Sequence, residues 1–241
     1  MRFDVYLESG PQHKRTWVFV PALAGCSTVA PVSEQASEAA ADAIRERLAF
    51  LRERGETMLP VAGDGIVPIA SAEPLDLVVA QHVIERKILG FGQQFWEPDL
   101  VPLGADEAAR LLRWAGWSRE AFIAAARAQA RPLGEKPDAG RSTGTILSHV
   151  AESEWAYVSA TLGTVKGGGP IMAAIAAGGP DVWDALDAER GVLAARLAEL
   201  TDEERSRIVE KNGLPRWTAR RMFRRLLEHE WEHTRELRAR I

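Results

Sequence analysis

The run HEWEH at residues 229–233 sets two imidazoles four residues apart in a strongly periodic segment. At 3.6 residues per turn they leave one face of a helix one turn apart, close enough to share an ion. His229 and His233 flank an apolar stripe of Phe223, Leu226, Leu227 and Leu237, so the pair faces a packed surface and not open water. His149 stands in the same way at the margin of a stripe made by Ile146, Val150 and Tyr157. Three neutral imidazoles brought together from two helices make a nitrogen-rich site for zinc, nickel or another divalent transition metal, with at least one position left open. Taken singly, each histidine reads better as a hydrogen-bonded, half-buried side chain, and the i,i+4 pair alone is balanced between the two readings. The third, similarly placed histidine favours the metal.

Glu154 and Glu230 fall inside the apolar arcs of the same two helices. A carboxylate there is costly unless it is hydrogen-bonded or near a cation, and a bound metal or an arginine would answer it. Both are therefore candidates to orient an imidazole or carry a proton, set against a solvated position on a slightly rotated helix. HEWEH also satisfies H-E-x-x-H, the zincin pattern, in which Glu230 acts as general base. Zincins take a third ligand well downstream, and here the residues after His233 hold no histidine and one carboxylate, Glu236. That reading is disfavoured.

The elements that must carry these side chains are helices. ADEAARLLRWAGWSREAFIAAARAQA reads as one helix, or two broken near Gly116, ending before Pro132. A second starts near Ser142 or Thr143 and holds His149. A third lies around VWDALDAERGVLAARLAEL, beyond the glycine-rich loop GTVKGGGP, and a fourth follows Pro215. Four such helices predict a four-helix bundle over residues 96–241. Residues 1–95 read differently. The alternation in 2–8 and 15–20 predicts two paired strands, and SEQASEAAADAIRERLAFLRER predicts a helix capped by Ser33 and stopped by Gly55. This small β-β-α module is the only clear hairpin; a stretch rich in Pro and Gly follows, with a further strand at 75–84. The fold class expected is α+β.

The whole-chain numbers exclude several function classes. With 241 residues, 46% of them hydrophobic and 27% charged, dominant disorder is ruled out. A net charge of −4 leaves no protein-wide positive field, so nucleic acid is not an expected partner. The run RWTARRMFRR is expected to form a solvated, salt-bridged face. No run approaches the roughly 18 apolar residues of a membrane helix. The start MRFDVYLESG lacks a secretion signal, and the lone Cys26, expected in a core or turn, excludes an intrachain disulfide, so a reducing cytoplasm is expected. His13 and His82 have no identifiable partner.

TGTILSHVAESEWAYV and HEWEHTREL resemble the second and fourth helices of the DinB/YfiT-like four-helix-bundle proteins, with one histidine in the second helix and an H-x-x-x-H in the last. The resemblance covers about residues 98–241. It implies a metal site of His149, His229 and His233, typically zinc or nickel, and in some relatives a transferase or isomerase activity that uses a low-molecular-weight thiol as cosubstrate. Thiol S-transfer or hydrolysis of a small-molecule substrate is what it implies here. The family's second helix usually opens with a Trp-Ser pair, where this chain has Arg141-Ser142-Thr143-Gly144. Residues 1–60 resemble the HicB-like antitoxin domain through Pro21, Gly25, Cys26, Ser33 and Glu34, which implies contact with a protein partner. A non-catalytic binding or regulatory protein is thus the alternative to an enzyme, and a homodimer is compatible with either.

Overall fold

The computed structural model describes residues 1–61, 65–69, 74–84, 94–212 and 214–241. The chain divides into two compact units, Met1–Asp99 and Leu100–Ile241. In the first, β1 (Arg2–Ser9) and β2 (Lys14–Phe19) form the expected antiparallel hairpin, and β6 (Asp76–Ile84) pairs in parallel with β1. Two further pieces were not expected. β3 (Ser27–Val32) adds to β2, giving the order β3-β2-β1-β6, and β4 (Met58–Val61) pairs with β5 (Gly65–Pro68) within the stretch read as Pro- and Gly-rich. Other parts of that stretch, 62–64 and 70–73, lie outside the described residues. The module is therefore β-β-β-α with an added hairpin and a parallel edge strand, and not β-β-α.

Helix α1 (Ala36–Glu53) buries Ala36, Ala40, Ile44, Leu48 and Leu51 as its periodicity requires. Ser33 is not its cap: it opens a short 3-10 turn, Ser33–Gln35, and its hydroxyl lies 3.2 Å from His13 Nδ1. Val5, Leu7, Val18 and Ala30 form one core with Ala36 and Ala40, while Tyr6, Trp17, Phe19 and Trp96 form another. His13 and His82 do have partners. Their rings meet edge-on at 5.5 Å, and His82 Nε2 lies 2.7 Å from the Ser9 hydroxyl.

The second unit is helical. α2 (Ala105–Arg127) runs unbroken through Gly116, where an added Cβ would meet nothing within 4 Å. α3 (Thr143–Leu162) starts where expected, with the Ser142 side chain accepting from Thr145 N at 3.2 Å. α5 (Val182–Ala198) and α7 (Ala219–Arg238) complete a bundle in which α2 and α3 each pack on both α5 and α7. Phe122, Ile146, Leu147, Val150, Leu186 and Leu237 lie in its core. The glycine-rich segment read as a loop begins a helix instead, α4 (Gly168–Ala177). A Cβ on Gly168 would sit 2.2 Å from a Trp155 ring carbon, so this glycine is required by the close packing of α4 on α3. A short helix α6 (Asp202–Ser206), opened by a Thr201/Glu204 capping box, precedes a hairpin of β7 (Val209–Lys211) and β8 (Leu214–Trp217). Among the described residues no helix is long and apolar enough to cross a membrane.

Candidate metal centre

Thr218 caps α7 by accepting from Arg221 N at 3.1 Å, and the helix then buries almost every residue from Ala219 to Thr234. His229 and His233 are 5% and 2% exposed, and His149 approaches from α3 half-buried. His229 Nε2 lies 3.1 Å from His149 Nε2 and 3.2 Å from His233 Nε2. One ligand atom from each of the three falls within 4.8 Å of the others. With metal–nitrogen bonds of about 2.0–2.1 Å, neighbouring nitrogens stand about 3.4 Å apart in a tetrahedron and about 2.9 Å in an octahedron. The two distances from His229 fall between these values, and with all three ligand atoms within 4.8 Å of one another the residues suit a divalent ion.

Protonation leads to the same conclusion. His233 Nδ1 lies 2.7 Å from Glu236 Oε2, and a carboxylate only accepts, so Nδ1 carries a hydrogen and Nε2 is the nitrogen turned toward the other imidazoles. Arg141 Nη2, 3.3 Å from the same Nδ1, therefore makes its real bond to Glu236, at 3.1 Å. Burial first, then the neighbouring His233, lowers the pKa of both His149 and His229, that of His229 far below the ordinary histidine value. Neutral imidazoles are the form that binds zinc or nickel. His229 Nδ1 is buried with no hydrogen-bond partner among the described residues. The ring is thus held by packing and by what its Nε2 faces.

Glu154 and Glu230 are brought together, though not at the histidines. Arg119 from α2 pairs with Glu154, with Glu189 at 3.0 Å and with Glu230 at 2.9 Å; Arg190 from α5 reaches Glu154 at 3.0 Å and Glu230 at 2.6 Å. All five side chains are at most 13% exposed. The arginines answer the burial cost that the sequence posed. Three carboxylates face two guanidinium groups, so the excess negative charge favours the protonated carboxyl form. Burial raises Glu230 to about 8 and, with the charge of Glu154, Glu189 to about 7. The zincin assignment loses its base, since the hydrogen bonds of Glu230 run to guanidinium and carboxyl groups.

In the basic run the expected salt bridges form, and Arg216 is exposed and Arg220 half-buried, but Arg221, Arg224 and Arg225 are buried and not solvated. Arg224 and Arg225 are each 2% exposed and pair with Glu228 at 3.0 and 2.9 Å. Sequence reasoning missed Arg119, Glu189 and Arg190 entirely, and noted Glu236 and Arg141 without a role. The i,i+3 spacing of Glu236 from His233 was the signal available for the first of these two.

The DinB superfamily model matches residues 77–237, well over half of the chain, with all three histidines inside the match. The chain belongs to this superfamily, whose members often bind metal. No curated protein and no solved structure matches it.

Proposed function

We propose that the bundle holds one divalent transition metal, zinc or nickel, on His149, His229 and His233, and acts there on a small molecule by thiol S-transfer or hydrolysis. The observation that carries this reading is the convergence of three imidazoles, with His229 Nε2 at 3.1 Å from His149 Nε2 and 3.2 Å from His233 Nε2 and all three ligand atoms within 4.8 Å of one another. When bound, the metal supplies Lewis acidity that lowers the pKa of a thiol or water. The chain's own residues do the rest. Burial favours the neutral form of His149 and His229, and Glu236 fixes the ring of His233 by accepting from its Nδ1. To Glu154 and Glu230 we assign the holding of α3 against α7 through Arg119 and Arg190, because their hydrogen bonds reach no imidazole.

The test is elemental analysis of untagged protein purified without added metal or chelator, with His149→Ala and His229→Ala/His233→Ala alongside. About one equivalent of zinc or nickel, lost in the variants, is expected from a three-ligand site. No metal after reconstitution, with variants as stable as the parent, overturns the reading. For residues 1–60 the HicB-like reading is supported by the turn at Pro21–Cys26. There Leu23 N and Cys26 N bond back to Val20 O and Leu23 O at 2.9 and 2.8 Å, and Gly25 adopts φ 88° against the Arg47 guanidinium. A stoichiometric protein partner captured by full-length chain, and lost on altering this module, is the expected result.

A further inference from the structure

Two polar side chains flank the histidine cluster. Arg141 is already committed, its Nη2 bonded to Glu236 at 3.1 Å. Tyr157 is not. It stands eight residues beyond His149, two helical turns along the same face of α3, with its ring edge-on to His229 at 6.0 Å and 78°. Trp217 supports the ring at 5.4 Å. The phenol oxygen accepts from Arg225 Nη2 at 3.2 Å, and Arg225, 2% exposed, is anchored on Glu228. A guanidinium can only donate, so this bond leaves the hydroxyl hydrogen of Tyr157 unused. No acceptor for that hydrogen exists among the described residues. Tyr157 and His149 are both half-buried, so each keeps part of its surface open to solvent, and the donor stands beside the His229 ring.

We propose that Tyr157 is a binding residue for an anionic oxygen, of the carboxylate, phosphate or enolate kind, on the small molecule held at this centre. The proposal rests on the metal-centre reading. Arg225 is its positioning residue: a buried cation behind the phenol oxygen orients the hydroxyl and polarises it into a stronger donor. A fixed donor beside three cation-binding imidazoles is suited to negative charge on oxygen. The substrate class is thereby narrowed to molecules that carry an oxyanion or develop one.

The probe is inorganic phosphate, titrated calorimetrically into zinc-loaded full-length protein and its Tyr157→Phe variant. The variant is expected to keep one zinc and the parent's thermal midpoint while binding phosphate about ten- to a hundredfold more weakly, the usual loss for a hydrogen bond to a charged group. A second measurement needs no variant to fold. The chain has two tyrosines, Tyr6 and Tyr157, so 3-fluorotyrosine labelling gives two fluorine resonances. Phosphate is expected to shift that of Tyr157 and leave that of Tyr6 in place. Equal phosphate affinity in the two zinc-loaded proteins, no phosphate binding by the zinc-loaded parent, or an unmoved Tyr157 resonance overturns the proposal while leaving the metal centre intact. A parent that takes up no zinc defeats the metal-centre reading by its own readout, and this proposal with it.

Discussion

Glu236→Ala should weaken zinc binding although Glu236 is not among the three histidines. Its Oε2 accepts from His233 Nδ1 at 2.7 Å, and the same carboxylate answers Arg141 and Arg240. Truncation leaves the Nδ1–H of a side chain only 3% exposed without an acceptor, frees the ring to turn, and leaves two guanidinium groups beside a dication with no anion between them. Removing the partner of a metal-bound histidine typically costs 10–100-fold in affinity, about 1.4–2.8 kcal/mol. The two uncompensated arginines place this case toward the upper end. Glu236→Gln keeps an acceptor for Nδ1–H while losing the charge. Charge-assisted hydrogen bonds are about twice as strong as neutral ones, so roughly a tenfold loss is expected. Affinities are read by competition with a chromophoric chelator at neutral pH, with the thermal midpoint as the control for folding. Equal zinc affinity in Glu236→Ala and the parent would refute the argument that this carboxylate fixes the ligand. A glutamine variant as weak as the alanine would show that charge alone matters and the hydrogen bond does not.

Arg119→Met leaves Glu154, Glu189 and Glu230 facing Arg190 alone. Breaking such a buried pair costs about 3–5 kcal/mol, or roughly 6–20 °C in thermal midpoint for a chain of this size, and adding Glu189→Gln should recover part of the loss. The same cluster gives a pH dependence to melts run in chelator. Glu189 and Glu230, held at about 7 and about 8 in the folded state, retain protons that the unfolded chain gives up. Their stabilisation is complete below the ordinary carboxyl range and lost as pH rises through those values, by up to about 1.4 kcal/mol per pH unit for each retained proton. His149 and His229, with lowered pKa values, act oppositely and only below about 6.5. The midpoint should therefore fall between about pH 6.5 and 8, and Glu189→Gln should flatten that fall by balancing two carboxylates against two guanidinium groups. A flat profile in the parent would contradict this. Gly168→Ala drives a methyl into the Trp155 ring and should cost about 1–3 kcal/mol by melting while zinc stoichiometry stays unchanged.

What could be read in advance followed from local periodicity. The alternation of Phe3, Val5 and Leu7 specifies β1, and the four-residue spacing of His229 and His233 specifies a shared face of α7. β3 was hidden because Ala30-Pro31 has poor strand propensity; β3 is an edge strand, where a missing N–H is tolerated. The start of α4 was hidden because Gly167, Gly168, Gly169 and Pro170 look like a loop. Proline is at home in a first helical turn, and the reason for Gly168 is a tryptophan on another helix. Arg224 and Arg225 looked solvated because Glu228, their partner, is also charged. No pattern along one helix distinguishes a buried ion pair from an exposed one.

The charge cluster and the histidine cluster share two helices. Glu154 lies five residues after His149 on α3, and Glu230 adjoins His229 on α7, while Arg119 and Arg190 come from α2 and α5. Apolar packing alone tolerates small slides of one helix along another, since leucine and alanine contacts are non-directional. Buried ion pairs at 2.6–3.0 Å are not tolerant, because a shift of one residue strands charge in the core. The register of α3 against α7 is thereby fixed by groups that make no contact with the imidazoles. That same register decides whether three Nε2 atoms meet within the reach of one ion. Residues adjacent in sequence thus have different tasks. In the pair His229-Glu230, one side chain faces the centre, and the other holds in place the helices that form it.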